Sequence, residues 1–249
     1  MLNGFVCFWG GARSLAHAMP RRYDWASIPK KTSAMIVVIQ CAASKRPTAG
    51  YMTSTNGARI NFVAHPECAP AMRDRGYARP DDTTVNGKSW RELLLDYNRE
   101  GRRDLGLLPA YRLYTAPIYS RLVERLGTQR VYILSAGWGL IRADFLTPYY
   151  DITFSAVKPG DTYKRRTGKD YFSDFRLPEH VDDDLMFFGG EVYRALFCAL
   201  TNSVTGTRTV FSLSDSPIAA PGCTVRHFRT RRQTNWHYQC AESFLSGTL

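Results

Sequence analysis

Two short segments place small residues and a reactive side chain immediately after a run that reads as a buried strand. The first is Met35-Ile-Val-Val-Ile-Gln40 followed by Cys41-Ala-Ala-Ser44-Lys45. The second is Tyr132-Ile-Leu134 followed by Ser135-Ala-Gly137-Trp138-Gly139-Leu-Ile-Arg142. Small residues after a strand leave backbone N–H groups open to a ligand, which is how α/β proteins build anion and nucleotide sites at strand ends. Lys45 can neutralise phosphate or act as a nucleophilic amine. Gly137 and Gly139 permit positive φ, and Trp138 offers a face on which a base can stack. A carboxylate follows in Pro148-Tyr149-Tyr150-Asp151.

These residues suit chemistry at an N-glycosidic bond, because one carboxylate can activate water or stabilise an oxocarbenium-like centre beside a stacked base. The catalytic candidates are Asp151, Ser135 and Lys45. Ser44, Gly137, Gly139 and Arg142 are the phosphate-binding candidates, and Tyr114, Trp138 and Tyr149 the stacking ones. Each has a plainer reading. Asp151 can be a strand-edge carboxylate paired with an arginine, the tyrosines can be core residues with satisfied hydroxyls, and Trp138 can pack inside a tight turn.

Near the C-terminus, Arg226, Arg229, Arg231 and Arg232 stand among Phe228, Trp236 and Tyr238. That mixture suits phosphate contact with aromatic stacking, and its alternative is a solvated strand and loop. Cys223-x3-His227 and His237-x2-Cys240 supply four zinc-ligand types. Cys223 and His227 lie four apart on an expected strand, too far for comfortable shared coordination. Neither a metal nor a cofactor is expected.

The elements that must carry these residues follow from pattern. Strands are expected at MIVVIQ, QRVYILS, RTVFSL and TVRHF. KSWRELLLDYNRE places Trp90, Leu93, Leu94 and Tyr97 on one helical face, and APIYSRLVERLG starts at Pro117 and stops at Gly127. DDDLMFFGGEVYRALFCAL is expected as one helix with acids in its first turn. Alternating strands and helices predict an α/β class, a mixed central sheet flanked by helices with a basic cleft at the strand ends. Residues 1–34 read as a basic extension and 35–249 as one domain. Within that domain, about 46–87 is a Gly-, Pro- and Asn-rich lid or insertion, and about 205–249 is the Arg- and aromatic-rich part.

Bulk composition narrows the partners. The 249 residues carry a formal charge of +11, which favours phosphate-bearing partners, DNA or a nucleotide, over neutral ones. There is no run of eighteen apolar residues, so no membrane partner is expected. Gly10, Gly11 and Arg13 interrupt the early apolar residues before they reach signal-peptide length. Six scattered cysteines suggest no disulfide framework, and a reducing, cytoplasmic setting is expected.

Taken in order, Cys41-x-x-Ser44-Lys45, Tyr114-Thr-Ala-Pro117-Ile-Tyr119, the Ile133–Arg142 block and Pro148-Tyr149-Tyr150-Asp151 resemble the YaaA-like superfamily over about residues 35–154. Trp138 stands where that family usually has Tyr, and the segment between Lys45 and Trp90 is longer. The resemblance implies a mixed α/β fold with a basic cleft, DNA binding as in stress-response members, and links to nucleotides or modified bases in phage and bacterial relatives. Three functions are compatible with it: a glycosylase-like enzyme on a base in DNA, a non-catalytic DNA-binding stress-response protein, and a module that senses a small nucleotide.

Overall fold

Ile36, Val37, Val38 and Ile39 are all buried, so both faces of their strand are covered, as the central strand of a parallel sheet requires. A computed structural model describes residue 1 and residues 35–178, 181–231 and 233–249. The chain divides at Thr32/Ser33 into two units, and every helix and strand named below belongs to the second. The expected extension over 1–34 lies outside the described residues apart from Met1.

The elements run in this order: β1 Met35–Gln40, β2 Met52–Thr53, β3 Arg59–Phe62, β4 Arg75–Ala78, α1 Trp90–Arg99, β5 Leu108–Pro109, α2 Ala110–Leu113 and α3 Ile118–Leu126. Then come β6 Val131–Ser135, β7 Gly139–Arg142, β8 Leu146–Thr147, β9 Asp184–Phe188, α4 Glu191–Leu200, β10 Arg208–Ser212, β11 Thr224–His227 and α5 Trp236–Leu245. Six strands form the central sheet in the order β11-β10-β9-β1-β6-β7. β1, β6, β9, β10 and β11 are mutually parallel, and β7 returns antiparallel to β6. With five α-helices among the described residues, the class is mixed α/β.

Local chemistry sets the helix ends. Ser89 caps α1 in a reciprocal box: its hydroxyl accepts from Glu92 N, and its own N–H donates to the Glu92 carboxylate. Pro117 opens α3, and Gly127 closes it at φ 81°. Side chains alternate across β9, so Phe187 stacks on Phe197 of α4 while Phe188 meets Phe244 of α5. The two helices therefore cover opposite faces of the sheet.

The segment DDDLMFFGGEVYRALFCAL departs from its expected single helix. Asp184–Phe188 is strand β9, and α4 begins only at Glu191, after Gly189 and Gly190. The four-residue apolar run Leu185–Phe188 beside β1 and β10 is worth more as a doubly buried strand than as a helix extension. Gly139–Arg142 is likewise a strand, and the turn is confined to residues 136–138. α5 begins inside the Arg- and aromatic-rich segment expected as strand and loop.

The expected insertion forms a small sheet in the order β2-β3-β4. It is joined to the main body through a bridge between Phe62 and Tyr150. Phe62 is fully buried and edges onto both Trp90 and Trp138. No described helix is long and apolar enough to cross a membrane.

Candidate functional site

β1 leads through α3 to β6 on one side, whereas β9 leads to β10 and β11 on the other. The sheet order thus reverses between β1 and β9. Ligands of open α/β sheets bind in the crevice beyond the carboxyl ends of the strands at such a point. In this fold that place is a 340 Å³ cavity lined by Gln40, Cys41, Ser44, Thr153, Tyr193 and Tyr238 among others. Its polar groups are chiefly hydroxyls. Cys41 Sγ lies 3.2 Å from Tyr193 OH, and Gln40 Oε1 accepts from Gly190 N at the start of α4.

Lys45 follows directly on the Ser44 that lines this cavity. Its Nζ sits 4.2 Å from the centroid of the Tyr150 ring. Burial holds its amine below the ordinary lysine range, Cys41 and the Asp151 carboxylate oppose that shift, and Lys164 adds to it. Asp151 is half-buried. It accepts from Asn61 Nδ2 at 3.2 Å and from Tyr149 OH at 3.5 Å, while its own N–H is held by Phe62 O. Asn61 Oδ1 is buried with no hydrogen-bond partner among the described residues. Lys45 and Asp151, far apart in sequence, are therefore brought into one electrostatic neighbourhood.

Beneath the lysine lies a layer of phenols. Tyr150 OH receives a hydrogen bond from Ser135 Oγ at 2.8 Å and lies 2.8 Å from Tyr114 OH. Burial pushes the Tyr114 and Tyr150 hydroxyls well above their ordinary range. Both stay protonated and act as neutral hydrogen-bonding groups. Tyr114 is also tilted against Tyr119 at 4.9 Å, so it is a core residue rather than a stacking platform. Tyr149 is half-buried and packs against Tyr51.

The turn after β6 departs from its expected roles for a specific reason. Ser135 is fully buried, and its Oγ accepts from Gly137 N at 3.2 Å and Trp138 N at 3.1 Å. These N–H groups are consumed internally and form no phosphate cradle. The carbonyls are taken as well. Arg166 donates to Ala136 O, and Arg91 donates to Gly137 O and Trp138 O. Trp138 is fully buried between Phe62 and Tyr150 and offers no open face to a base. Gly139 sits at φ 81°, and a Cβ there would lie 2.6 Å from Phe175 O. Its glycine serves the close approach of the 174–175 backbone.

Arg142 does not join the site. It pairs in register with Tyr132 near the start of β6, whereas Ser135 ends that strand, and its guanidinium is bound to Asp144 at 2.6 Å. Arg226, Arg229 and Arg231 are exposed around the edge strand β11, and Arg232 lies outside the described residues. Among the described residues no three His, Cys, Asp or Glu side chains converge as metal ligands. Of the four zinc-ligand types noted in the sequence, His227 is bound to Asp215 and Leu213 O, while Cys223 lies 3.6 Å from Cys198.

Comparison finds no match. Neither a family model, nor a curated protein, nor a solved structure matches this chain.

Sequence reasoning missed three residues that organise the site. Asn61 lies in the segment expected as a lid. Arg91 follows Trp90 on the helix face that packs inward, and a basic residue beside that aromatic was the available signal. Arg166, only 5% exposed, is sandwiched by Phe172 and Phe154 and carried no pattern at all.

Proposed function

We propose that the chain acts on the N-glycosidic bond of a base in DNA or in a nucleotide, with Lys45 and Asp151 as the reacting pair. The observation that carries this reading is their convergence: a lysine amine made easier to deprotonate by burial beside a carboxylate held by Asn61 and Tyr149. A buried lysine whose amine is shifted beside a carboxylate is a functional-site candidate.

The division of labour follows from the two environments. Asp151 takes a proton from water as that water adds to the anomeric carbon, and its charge stabilises the oxocarbenium-like centre. Lys45, a stronger acid than an ordinary lysine, gives a proton to the departing base as the C–N bond breaks. The hydroxyl-lined cavity at β1 and β9 suits the sugar, whose hydroxyls match donors and acceptors of the same kind. Tyr149, rather than Trp138 or Tyr114, is the stacking candidate that remains half-open. Exposed Arg226, Arg229 and Arg231 favour a second reading, binding of DNA without catalysis.

Incubation with oligonucleotides containing ordinary and modified bases, and with free nucleotides, tests the proposal by mass-spectrometric detection of released base. Release is expected from the native chain, with loss in Asp151→Asn and in Lys45→Ala. Release that persists in Asp151→Asn overturns the mechanism. Binding of DNA without any release moves the function to the non-catalytic reading.

A further inference from the structure

A separate groove of 510 Å³ runs along the β7 edge of the central sheet, between that strand, the end of α1 and the segment after Phe175. Its size falls within the range of small-molecule sites, about 300–1,000 Å³. Among the described residues, Arg99, Arg103, Arg142 and Arg176 line it against the one carboxylate of Asp144; four positive charges less one leave +3 from these residues. Asp144 is engaged by Arg142. The contact of Arg99 with Asp96 is long, 3.9 Å, and Asp96 is held more closely by Lys88 at 2.8 Å. The guanidinium rim is therefore only partly neutralised.

Beneath the rim the groove is apolar and aromatic. Tyr132 and Phe175 line it, and Phe145 meets Phe175 edge to face at 5.5 Å. Asn98, the one side-chain amide in the lining among the described residues, is spent: its Nδ2 donates to Leu94 O and Leu146 O, and its Oδ1 accepts from Leu146 N. The strand edge is partly closed too, since Leu140 N already donates to Phe175 O. A peptide adding as a further strand would find that donor taken.

We propose that this groove binds a nucleoside phosphate, with the arginine forks on the phosphate and the base against the apolar floor. A planar guanidinium matches phosphate oxygens in pairs, and an aromatic floor accepts any base by its face. With no free amide to read a base edge, recognition is indifferent to base identity. The site does not depend on Lys45 and Asp151, which lie beyond the opposite end of β6. It can serve a free nucleotide or one unit of a strand, and the test separates the two sources.

Fluorescence anisotropy of 5′-fluorescein-labelled dT12, titrated at several salt concentrations and competed with AMP, reads the site. The combined variant Arg99→Gln, Arg103→Gln, Arg176→Gln is expected to weaken dT12 by about tenfold or more and to lower the salt slope by about 2, at ~0.7 per phosphate contact on single strands. A second triple variant, Arg125→Gln, Arg130→Gln, Lys158→Gln, removes the same charge from exposed positions elsewhere and is expected to change affinity far less. Competition by AMP identifies a mononucleotide site, and its absence identifies a strand site. Equal weakening by both triple variants, or unchanged binding in the groove variant with an unaltered thermal melt, overturns the proposal. Binding of dT12 is read without any base release, so a native chain that releases no base leaves the groove result standing, and failure of the glycosidic reading is told apart from failure of this one.

Discussion

Replacement of Arg166 by Met tests whether the turn after β6 is held by buried charge. Arg166 and Asp174 are 5% and 4% exposed in their side chains and share two hydrogen bonds, at 2.9 and 2.6 Å. The same guanidinium donates to Ala136 O at 2.8 Å and lies 4.0 Å from the Phe172 ring centroid. Met preserves apolar packing against Phe172 and Phe154 while stranding Asp174 without its countercharge. Breaking a buried pair from one side costs ~3–5 kcal/mol. The unmade bond to Ala136 adds about 1 kcal/mol. With a urea m-value of about 3 kcal/mol/M, the unfolding midpoint followed by tryptophan fluorescence should fall by more than about 1 M. Adding Asp174→Leu should restore much of the loss, because the double variant buries no unpaired charge. A midpoint shift below about 0.3 M in Arg166→Met, or a double variant as unstable as the two single losses added together, would refute the reasoning.

Other outcomes follow from the same geometry. Gly139→Ala combines a left-handed backbone with a 2.6 Å clash against Phe175 O and should cost ~2–5 kcal/mol in chemical denaturation. Gly101→Ala, at φ 67° with open space around it, should cost only about 1–2 kcal/mol. Burial lowers the His237 imidazole to about 4 from 6.5. The unfolded chain then takes up the proton first, so stability should fall as pH drops from about 6.5 to about 4, by ~3 kcal/mol at about 1.36 per unit. His237→Phe should flatten that part of the stability–pH curve. Burial raises the Tyr114, Tyr119, Tyr150 and Tyr193 hydroxyls well above 10, so stability is present below pH 10 and lost as pH rises further. Ultraviolet titration should show these four phenols silent near pH 10 and ionising only with unfolding.

Much of the sheet was legible because its strands carry continuous apolar runs. MIVVIQ and VYILS stand out, and Pro117 and Gly127 mark α3 without tertiary help. Asp184–Phe188 was misread because a short apolar run beside a helical pattern has no period of its own, and only its neighbours β1 and β10 decide it. Lys45 and Asp151 were singled out from residue type, and the fold sets them in one electrostatic neighbourhood. The competing roles of Ser135, Gly137 and Trp138 were undecidable, since the same small-residue turn serves a ligand or its own interior. Two distant arginines, whose contacts leave no trace in local spacing, settle that question together with the Ser135 hydroxyl, which bonds two and three residues on.

The segment between Lys45 and Trp90 reads in sequence as a lid or insertion, yet its Phe62 completes a cluster with Trp90 and Trp138 and its Asn61 holds Asp151. It is a wall that shares its mortar with the building. A chain that shortened this stretch would open a void beside Trp138 and release the carboxylate at once. Positions 61, 62, 90, 138 and 151 are therefore expected to vary together, as one inherited block, wherever related chains differ in the length of that stretch.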